Sequence, residues 1–398
     1  MTASPGKVLI IVENLPVPFD RRVWTEARTL RQAGYQVSVI CPVGKGYEAL
    51  EEEIEGIDIY RHRLPPEANS AVGYFREYVA ALRWEWKLAH KVHKKRGFDV
   101  IHACNPPDLI FLVAAWFKLL YGTKFIFDHH DVNPELYESK FHRRDLFYHG
   151  LRLAERLTFA LADTVISTND FYREIAVTRG RIPPEKVFVV RSAPDLSRFS
   201  RVPENPAFRR GRRYLVGYLG VMGPQDGVDH LLQAAHELVV KRGRKDIQFC
   251  LIGKGPVFES LKTMAQELQV ADCVEFTGRI PDAEMIERIS SCDVCVNPDP
   301  LNPLNDISTM NKILEYMALE RPIVQYDLQE GRRSAAGASL YAKPNNSVDL
   351  ANEIERLLAD PQTRARMGQL GRQRMVEQLE WRHQIPKLMR AYETTLTA

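Results

Sequence analysis

The chain has 398 residues, of which 45% are hydrophobic and 26% charged, and its net charge at neutral pH is +3. The length suits about two domains, each with its own core; the composition is that of an ordinary soluble globular protein, and so small a charge excess argues against a nucleic-acid binder. Six cysteines (Cys41, Cys104, Cys250, Cys273, Cys292 and Cys295) lack the spacing of a disulfide framework, and the isolated Cys292-Asp-Val-Cys295 pair has no companion ligands, so a reducing, cytoplasmic location is expected.

In chain order, the first half alternates short apolar strands with amphipathic helices, which predicts a mostly parallel sheet covered on both faces. Strands are expected at 8–12, 37–40, 57–60, 100–102, 124–127, 164–166 and 187–190, with helices at 22–33, 74–95, 109–120 and 148–161. Pro5 and Lys7 lead straight into the first strand without a signal-peptide pattern. The longest apolar run, 109–121, is broken by Lys118 and is too short to span a bilayer. The helix at 74–96 places Phe75, Tyr78, Leu82, Trp86 and Ala89 on one face and crowds Lys87, Lys91, Lys94, Lys95 and Arg96 near its end. Such a helix either sits on an anionic membrane surface or packs as a core helix whose lysines favour its C-terminal dipole.

Two loops after strands of this half carry chemistry. The first runs Glu13-Asn14-Leu15-Pro16-Val17-Pro18-Phe19-Asp20-Arg21-Arg22. Its arginines suit bidentate phosphate binding; the structural alternative is that Asp20 caps the next helix and the arginines are solvated. The second is Asp128-His129-His130-Asp131, followed by Asn133 and Glu135. Imidazoles and carboxylates so dense at a strand's carboxyl end suit hydrogen bonding to a polyhydroxylated substrate, or proton transfer. Metal ligation is the weaker reading, because adjacent side chains on an extended segment point to opposite sides, and no Asp-x-Asp pair is present.

Residues 192–213 hold three prolines, several arginines and no apolar period, and read as a linker. Beyond it a second series predicts strands at 214–219, 248–252, 274–276, 294–296, 323–326 and 339–342, and helices at 228–242, 257–268, 282–290, 310–319 and 348–359. The tail 361–396 is helical in pattern. Glycines after these strands, at Gly217, Gly220 and Gly223 and again at Gly253 and Gly255, either let backbone approach a phosphate or serve turn chemistry. The stretch from Ser308 to Val324 predicts a helix capped by Ser308 or Thr309 whose apolar face is Met310, Ile313, Leu314 and Met317. Asn311, Lys312 and Glu315 then lie near a helix start that favours an anion. Two such α/β units are expected to bind ligand beyond the carboxyl ends of their strands, in a cleft between them.

The chain resembles the retaining nucleotide-sugar glycosyltransferases of family four, which have the GT-B fold of two facing Rossmann-like domains. The resemblance is carried by Asp20-Arg21-Arg22-Val23-x-x-Glu26-Ala27-x-x-Leu30, Asp128-His129-His130-Asp131, Gly217-Tyr218-Leu219-Gly220 and Leu314-Glu315-Tyr316-Met317-Ala318, and it extends from about Lys7 into the tail. It implies an N-terminal acceptor-side domain at 1–191, a linker at 192–213, a nucleotide-sugar domain at 214–375 and a closing segment at 376–398, with Trp381, that returns to the first domain. It further implies a hexosyl- or N-acetylhexosaminyl-transfer from a nucleoside diphosphate sugar, a UDP-sugar favoured, to a glycan or lipid-linked acceptor in surface polysaccharide synthesis. Retention of configuration and the absence of any metal or other cofactor are implied too, with the enzyme cytoplasmic or peripheral on the inner membrane face.

By position, Glu315 corresponds to the ribose-binding glutamate, His130 to the histidine beside the donor sugar, and Arg279 and Ile280 to the place where the base is read. Gly220, Gly223, Lys254 and Asn311 would line the donor, Asp131 would act with His130, and Asp20, Arg21, Arg22 and His129 would face substrate. Three departures stand out. Ile307 occupies the position of the first of two acids that the family spaces eight apart. Val221 and Asp226 stand where its diphosphate-binding arginine and lysine are usual, which passes that role to Lys312, with Lys254 second. The glycine pair of the first loop is replaced by prolines. An epimerase of the same fold, and a non-catalytic sugar-nucleotide-binding protein, are the competing expectations.

Overall fold

The computed structural model describes the backbone of residues 5–63 and 71–397 and their side chains outside 71–79. It divides into two units, one comprising residues up to Ser192 together with Gln384 onward, the other Ala193–His383.

In the first unit, β1 (Lys7–Ile11), β2 (Gln36–Pro42), β3 (Glu51–Ile54), β4 (Ile57–His62), β5 (Val100–Cys104), β6 (Lys124–His129), β7 (Thr164–Ser167) and β8 (Val187–Val189) form one sheet in the order β3-β4-β2-β1-β5-β6-β7-β8. All described pairings are parallel except β3 with β4. Strands such as Val-Ile-His-Ala-Cys are buried along their whole length, as expected of a parallel sheet with helices on its faces. The helices are α1 (Arg21–Gln32), α2 (Ala71–Lys95), α3 (Phe111–Tyr121), α4 (Asn133–Phe141), α5 (Leu146–Leu161) and α6 (Asp170–Thr178). The edge strand β3, read Glu-Glu-Glu-Ile, has too little apolar pattern to be expected from sequence, and short α4 and α6 also escape it.

Helix α2 corrects one expectation. Its buried side chains are Ala81, Glu85, Leu88, Ala89 and Val92, while Trp86 is exposed. Leu82 and Ala89 of the expected face do pack against the core, and Trp86 does not; Phe75 and Tyr78 lie outside the described side chains. The core of this unit gathers Leu9, Ile40, Val92, Ile101, Phe117, Phe127 and Phe159 between sheet and helices.

The second unit has an all-parallel sheet built from β9 (Tyr214–Leu219), β10 (Ile247–Ile252), β11 (Val274–Gly278), β12 (Val294–Asn297), β13 (Ile323–Tyr326) and β14 (Ser339–Ala342), in the order β11-β10-β9-β12-β13-β14. Its helices are α7 (Val228–His236), α8 (Phe258–Glu267), α9 (Asp282–Ser290), α10 (Asn311–Ala318), α11 (Gln329–Ala335), α12 (Ser347–Ala359) and α13 (Pro361–Arg374). The proline-rich stretch after Ser192, expected as a linker, packs into this unit: Leu196 and Phe199 are buried in its core beside Met317 and Met375. The return to the first unit is also later than residue 376, because Met375 and Leu379 belong to the second unit's core and the first unit resumes at Gln384. From there α14 (Ile385–Thr397) packs on the first sheet, where Tyr392 stacks edge-on against Tyr35 with ring centroids 5.4 Å apart.

The helix α10 is bolted to its sheet by one phenol. The Tyr316 hydroxyl, fully buried, accepts from the backbone N–H of Leu219 at 2.8 Å and donates to the carbonyl of Val296 at 3.3 Å. Replacing Tyr316 by Phe leaves a buried N–H without its acceptor, a loss of about 1–3 kcal/mol. Thermal unfolding followed by circular dichroism should show a lower midpoint for Tyr316→Phe, and an unchanged midpoint would refute this accounting.

Candidate active site

The loop between β1 and α1 ends in a helix cap. Asp20 accepts from the N–H of Val23 at 3.0 Å through Oδ1 and so caps α1. Arg21 lies exposed at the first position of the helix. Arg22 turns inward and meets Glu26 one turn on, with its Nη2 3.1 Å from Glu26 Oε1.

Arg22 is the centre of the first unit's polar cluster. Its Nη2 donates to both carboxylate oxygens of Asp128, at 3.0 and 3.2 Å, and its Nε donates to His130 Nε2 at 2.8 Å. Its Nη1 donates to the carbonyl of Val190 at 2.8 Å and to Ser192 Oγ at 3.0 Å. Every guanidinium nitrogen is thus used within the protein, which corrects the expectation of a phosphate-gripping Arg22. The same carboxylate of Asp128 meets His130 Nε2 at 2.6 Å and His102 Nε2 at 3.2 Å, and His102 Nδ1 meets the hydroxyl of Tyr392 at 2.8 Å. Burial alone would raise Asp128, but Arg22 and then His130 hold it well below the usual carboxylate range. Burial pushes the Glu26 carboxyl well above that range, while the adjacent Arg22 opposes the rise.

His129 and His130 separate as a strand requires, with successive side chains on opposite faces. His129 is fully buried between Phe127, Phe159 and Tyr172, with ring centroids 5.2–5.4 Å away. It lies 3.9 Å from Glu155, whose carboxylate is also bound by Arg179. Substrate has no access there, which corrects the expectation that His129 faces it. His130 is the accessible one. Its Nε2 lies 2.8 Å from Arg22 Nε and 2.6 Å from Asp128 Oδ2, accepting from the first or donating to the second according to the tautomer, and its Nδ1 has no hydrogen-bond partner among the described residues, leaving that edge of the ring for a hydroxyl group. Asn105 fixes the turn beneath it: its Oδ1 accepts from the N–H of His130 at 2.7 Å and of Asp131 at 3.1 Å, and its Nδ2 donates to the Asp131 carbonyl at 2.6 Å. Asp131 is half-buried beside His130, and burial raises its carboxyl.

Two sets of metal-type ligands come close together here, Glu26 with Asp128 and His130, and His102 with Cys104 and Asp128. The first already encloses the Arg22 guanidinium. In the second, both nitrogens of His102 are engaged and burial keeps the Cys104 thiol protonated.

In the second unit the candidate residues gather at the carboxyl ends of β9, β10 and β12. The turns after β9 and β10 press together: a methyl at Gly253 would lie 1.8 Å from the carbonyl oxygen of Gly220, and one at Gly255 2.4 Å from that of Met222. Close backbone packing therefore explains Gly253 and Gly255. Gly220 itself has φ +156° and sits against the Lys312 side chain, while the N–H of Gly223 donates to Asp226 at 2.8 Å. Val221 is exposed at the tip of this turn.

Lys312 projects beneath the Gly220 turn. Its Nζ donates to both oxygens of Asp299, at 2.8 and 3.1 Å, and stands 5.1 Å from the ring centroid of Tyr218. Burial would lower the ammonium, but Asp299, Tyr218 and Asp226 hold it charged. Burial lifts Asp299 to about 6 even though Lys312 opposes that rise. The cation proposed for a diphosphate is therefore one half of a buried ion pair, a partner that the spacing of the sequence did not disclose.

Helix α10 starts at Asn311, exposed, behind Met310, and no side chain caps it. The expected caps are engaged elsewhere: Ser308 Oγ donates to the Leu304 carbonyl and Thr309 Oγ1 to Glu330. Glu315 is half-buried one turn into the helix. Lys254 is exposed with its ammonium 5.8 Å from the Phe258 ring, Arg279 is exposed just after β11, and Ile280 packs against the core.

Residues 20–193 match a family model described as "Glycosyl transferase 4-like domain", and residues 213–360 match "Glycosyl transferases group 1". The chain is 28% identical to the alpha-D-kanosaminyltransferase of Streptomyces kanamyceticus over 79% of this chain and 83% of that one. It is 31% identical to the GDP-mannose-dependent alpha-(1-6)-phosphatidylinositol monomannoside mannosyltransferase of Mycolicibacterium smegmatis over 50% of this chain and 52% of that one. Among solved structures it is similar to Anabaena HepE in complex with UDP-glucose, with a TM-score of 0.72, 16% identity and coverage of 99% and 100% of the two chains.

Burial and the neighbouring Arg179 push His129 down to about 3, from an ordinary value of 6.5. The folded state thus prefers a neutral ring, so the contribution is intact above 6.5 and declines as pH falls from there toward about 3. His129→Phe, which suits the surrounding aromatic rings, should flatten the acid limb of the stability–pH curve while leaving turnover intact. A variant as acid-sensitive as the parent, or one with turnover abolished, would contradict this placement.

Proposed function

The chain belongs to the group 1 glycosyltransferases, of family four, with a GT-B type of fold, and from that premise we propose that it transfers a sugar from a nucleoside diphosphate donor to a glycan or lipid-linked acceptor with retention of anomeric configuration. The observation that carries this reading is the uncapped start of α10 beside the Gly220 turn, with Lys312 beneath it. Backbone N–H groups there, together with the helix dipole, favour a diphosphate, and Glu315 lies one turn further along, where ribose hydroxyls would follow. A UDP-sugar is favoured, with the UDP-glucose of the Anabaena structure as support, while GDP-mannose is the donor named for the mycobacterial relative.

The acceptor oxygen bonds to the anomeric carbon as the bond from that carbon to the diphosphate breaks. The acceptor proton passes to the departing phosphate on the same face, which yields a glycoside and a nucleoside diphosphate. The protein supplies position and charge. His130, held through Nε2, presents Nδ1 to a sugar hydroxyl. The Lys312–Asp299 pair answers the diphosphate: an arriving anion raises the Asp299 carboxyl further, and once Asp299 is protonated the Lys312 charge is available to the phosphate. No metal takes part in this proposal, since Arg22 occupies the centre of the carboxylate cluster that might otherwise hold one. The acceptor is placed in surface polysaccharide synthesis, with the enzyme at the inner membrane face.

Mass spectrometry of reactions with a panel of UDP-, GDP- and ADP-sugars tests the assignment, and should show a mass gain on the acceptor that chelator does not suppress. A free epimerised sugar nucleotide from donor alone would overturn it. Glu315→Ala should weaken donor binding by about tenfold or more, the loss of a hydrogen bond to a charged group. Lys312→Ala and His130→Ala should lower kcat. Donor affinity and turnover unchanged in all three would sink the site.

A further inference from the structure

Three neighbouring helices of the first unit present an outer surface that donor chemistry does not explain. On α3, Leu112, Trp116, Leu119 and Leu120 recur along one stripe and are all exposed, Leu119 by 83%. On α5, Leu146, Leu153 and Leu157 make a second stripe, with Leu146 exposed by 90%. The helices adjoin. Trp86 of α2 meets Trp116 with ring centroids 5.8 Å apart, and Trp116 Nε1 donates to His90 Nε2 at 3.1 Å. Lys118 of α3 donates to the carbonyl of Leu161, the last residue of α5, at 2.9 Å. Exposed leucines and tryptophans gathered in this way mark an interaction surface.

Charge identifies the occupant. Across 80–95, 111–121 and 146–161 the only carboxylates are Glu85 and Glu155, and both are buried. The charged side chains that these segments expose are all cationic, Lys87, Lys91, Lys94 and Lys95 on α2 and Arg156 on α5 among them. The carboxylates that border this face, Glu51 and Asp163, are already paired with Lys91 and Lys118, so a second copy of it would bring an excess of cation against cation. A bilayer with anionic headgroups fits both parts: apolar side chains enter the interface, and lysines and arginines meet phosphate. No helix among the described residues is long and apolar enough to cross a membrane, so contact would lie in the plane of the surface.

We propose that the outer face of α2, α3 and α5 docks on an anionic lipid surface, with Trp116, Leu119, Leu120, Leu153 and Leu157 inserted and the basic side chains around them on the headgroups. The α3 and α5 stripes supply the insertion, and α2 supplies most of the charge. The inference deepens the lipid-linked-acceptor reading and rests on it for its purpose, while its observations are independent of the donor.

Sedimentation of the full chain with vesicles tests it without any sugar nucleotide. Binding to mixed phosphatidylcholine–phosphatidylglycerol vesicles should exceed binding to phosphatidylcholine alone and should weaken as salt is raised. The double variant Leu119→Glu/Leu153→Glu should lose about tenfold or more of that binding, and Lys87→Glu/Lys94→Glu should remove the preference for the anionic lipid. Donor-induced thermal stabilisation and transfer to a water-soluble acceptor should stay unchanged in both variants, which separates lost docking from lost folding or chemistry. Wild-type protein that ignores both vesicle types, variants that bind as the parent does, or a solution dimer broken by Leu119→Glu/Leu153→Glu would overturn the proposal. Vesicle binding without any glycosyl transfer would instead overturn only the functional reading.

Discussion

The Arg22–Asp128 pair is the interaction on which the first unit's polar architecture rests. It joins the start of α1 to the carboxyl end of β6, and through Nη1 it also holds the backbone at Val190 and the side chain of Ser192. A guanidinium out of water is costly unless its donors are matched, and removing one partner from such a pair typically costs about 3–5 kcal/mol. Here the matching is complete: two carboxylate oxygens, an imidazole, a carbonyl and a hydroxyl accept from one side chain. The consequence reaches His130, whose ring is fixed on one edge and addressable on the other. Preorganisation of this kind lets a protein contribute position and charge without reorganising at the moment of reaction.

The second unit solves a different problem with backbone. Turns after β9 and β10 must pack against each other so that the Gly220 turn lies over Lys312, and only glycine at Gly253 tolerates the 1.8 Å that a methyl would leave to the Gly220 carbonyl. Beneath them, the Lys312–Asp299 pair keeps a buried ammonium charged without exposing a net charge to an empty site. Burial lifts the Asp299 carboxyl to about 6 against the pull of Lys312.

Much of the fold was legible because a parallel sheet writes itself as evenly spaced apolar runs, and thirteen of the fourteen strands among the described residues belong to such sheets as parallel neighbours. The exception, Glu51–Ile54, pairs antiparallel at an edge and carries three glutamates, so its strand character comes from its partner and not from its residues. The site was legible in part. Asp128 and His130 lie after a strand and Glu315 one turn into a helix, as their sequence context led one to expect. His129 was misplaced although its alternation with His130 was known, because alternation says that the two part ways and not which one meets the core. Trp86 was placed on one face of α2 with Leu82 and Ala89 by helical spacing, yet Glu85 took a buried position in α2 and Trp86 is exposed.

By itself, then, the sequence determined the class of fold, the approximate positions of the strand ends and the places where polar side chains gather beyond them, since periodicity and turn chemistry are local properties. Which charges remain available was decided only by tertiary structure. Arg22 and Lys312 are each neutralised by a carboxylate 106 and 13 residues away, and the capping groups of α10 are drawn off by Leu304 and Glu330. A charge or a hydroxyl is a local fact of sequence, but its partner is not. In a low-dielectric interior the partner fixes both the protonation and the chemical use of the group.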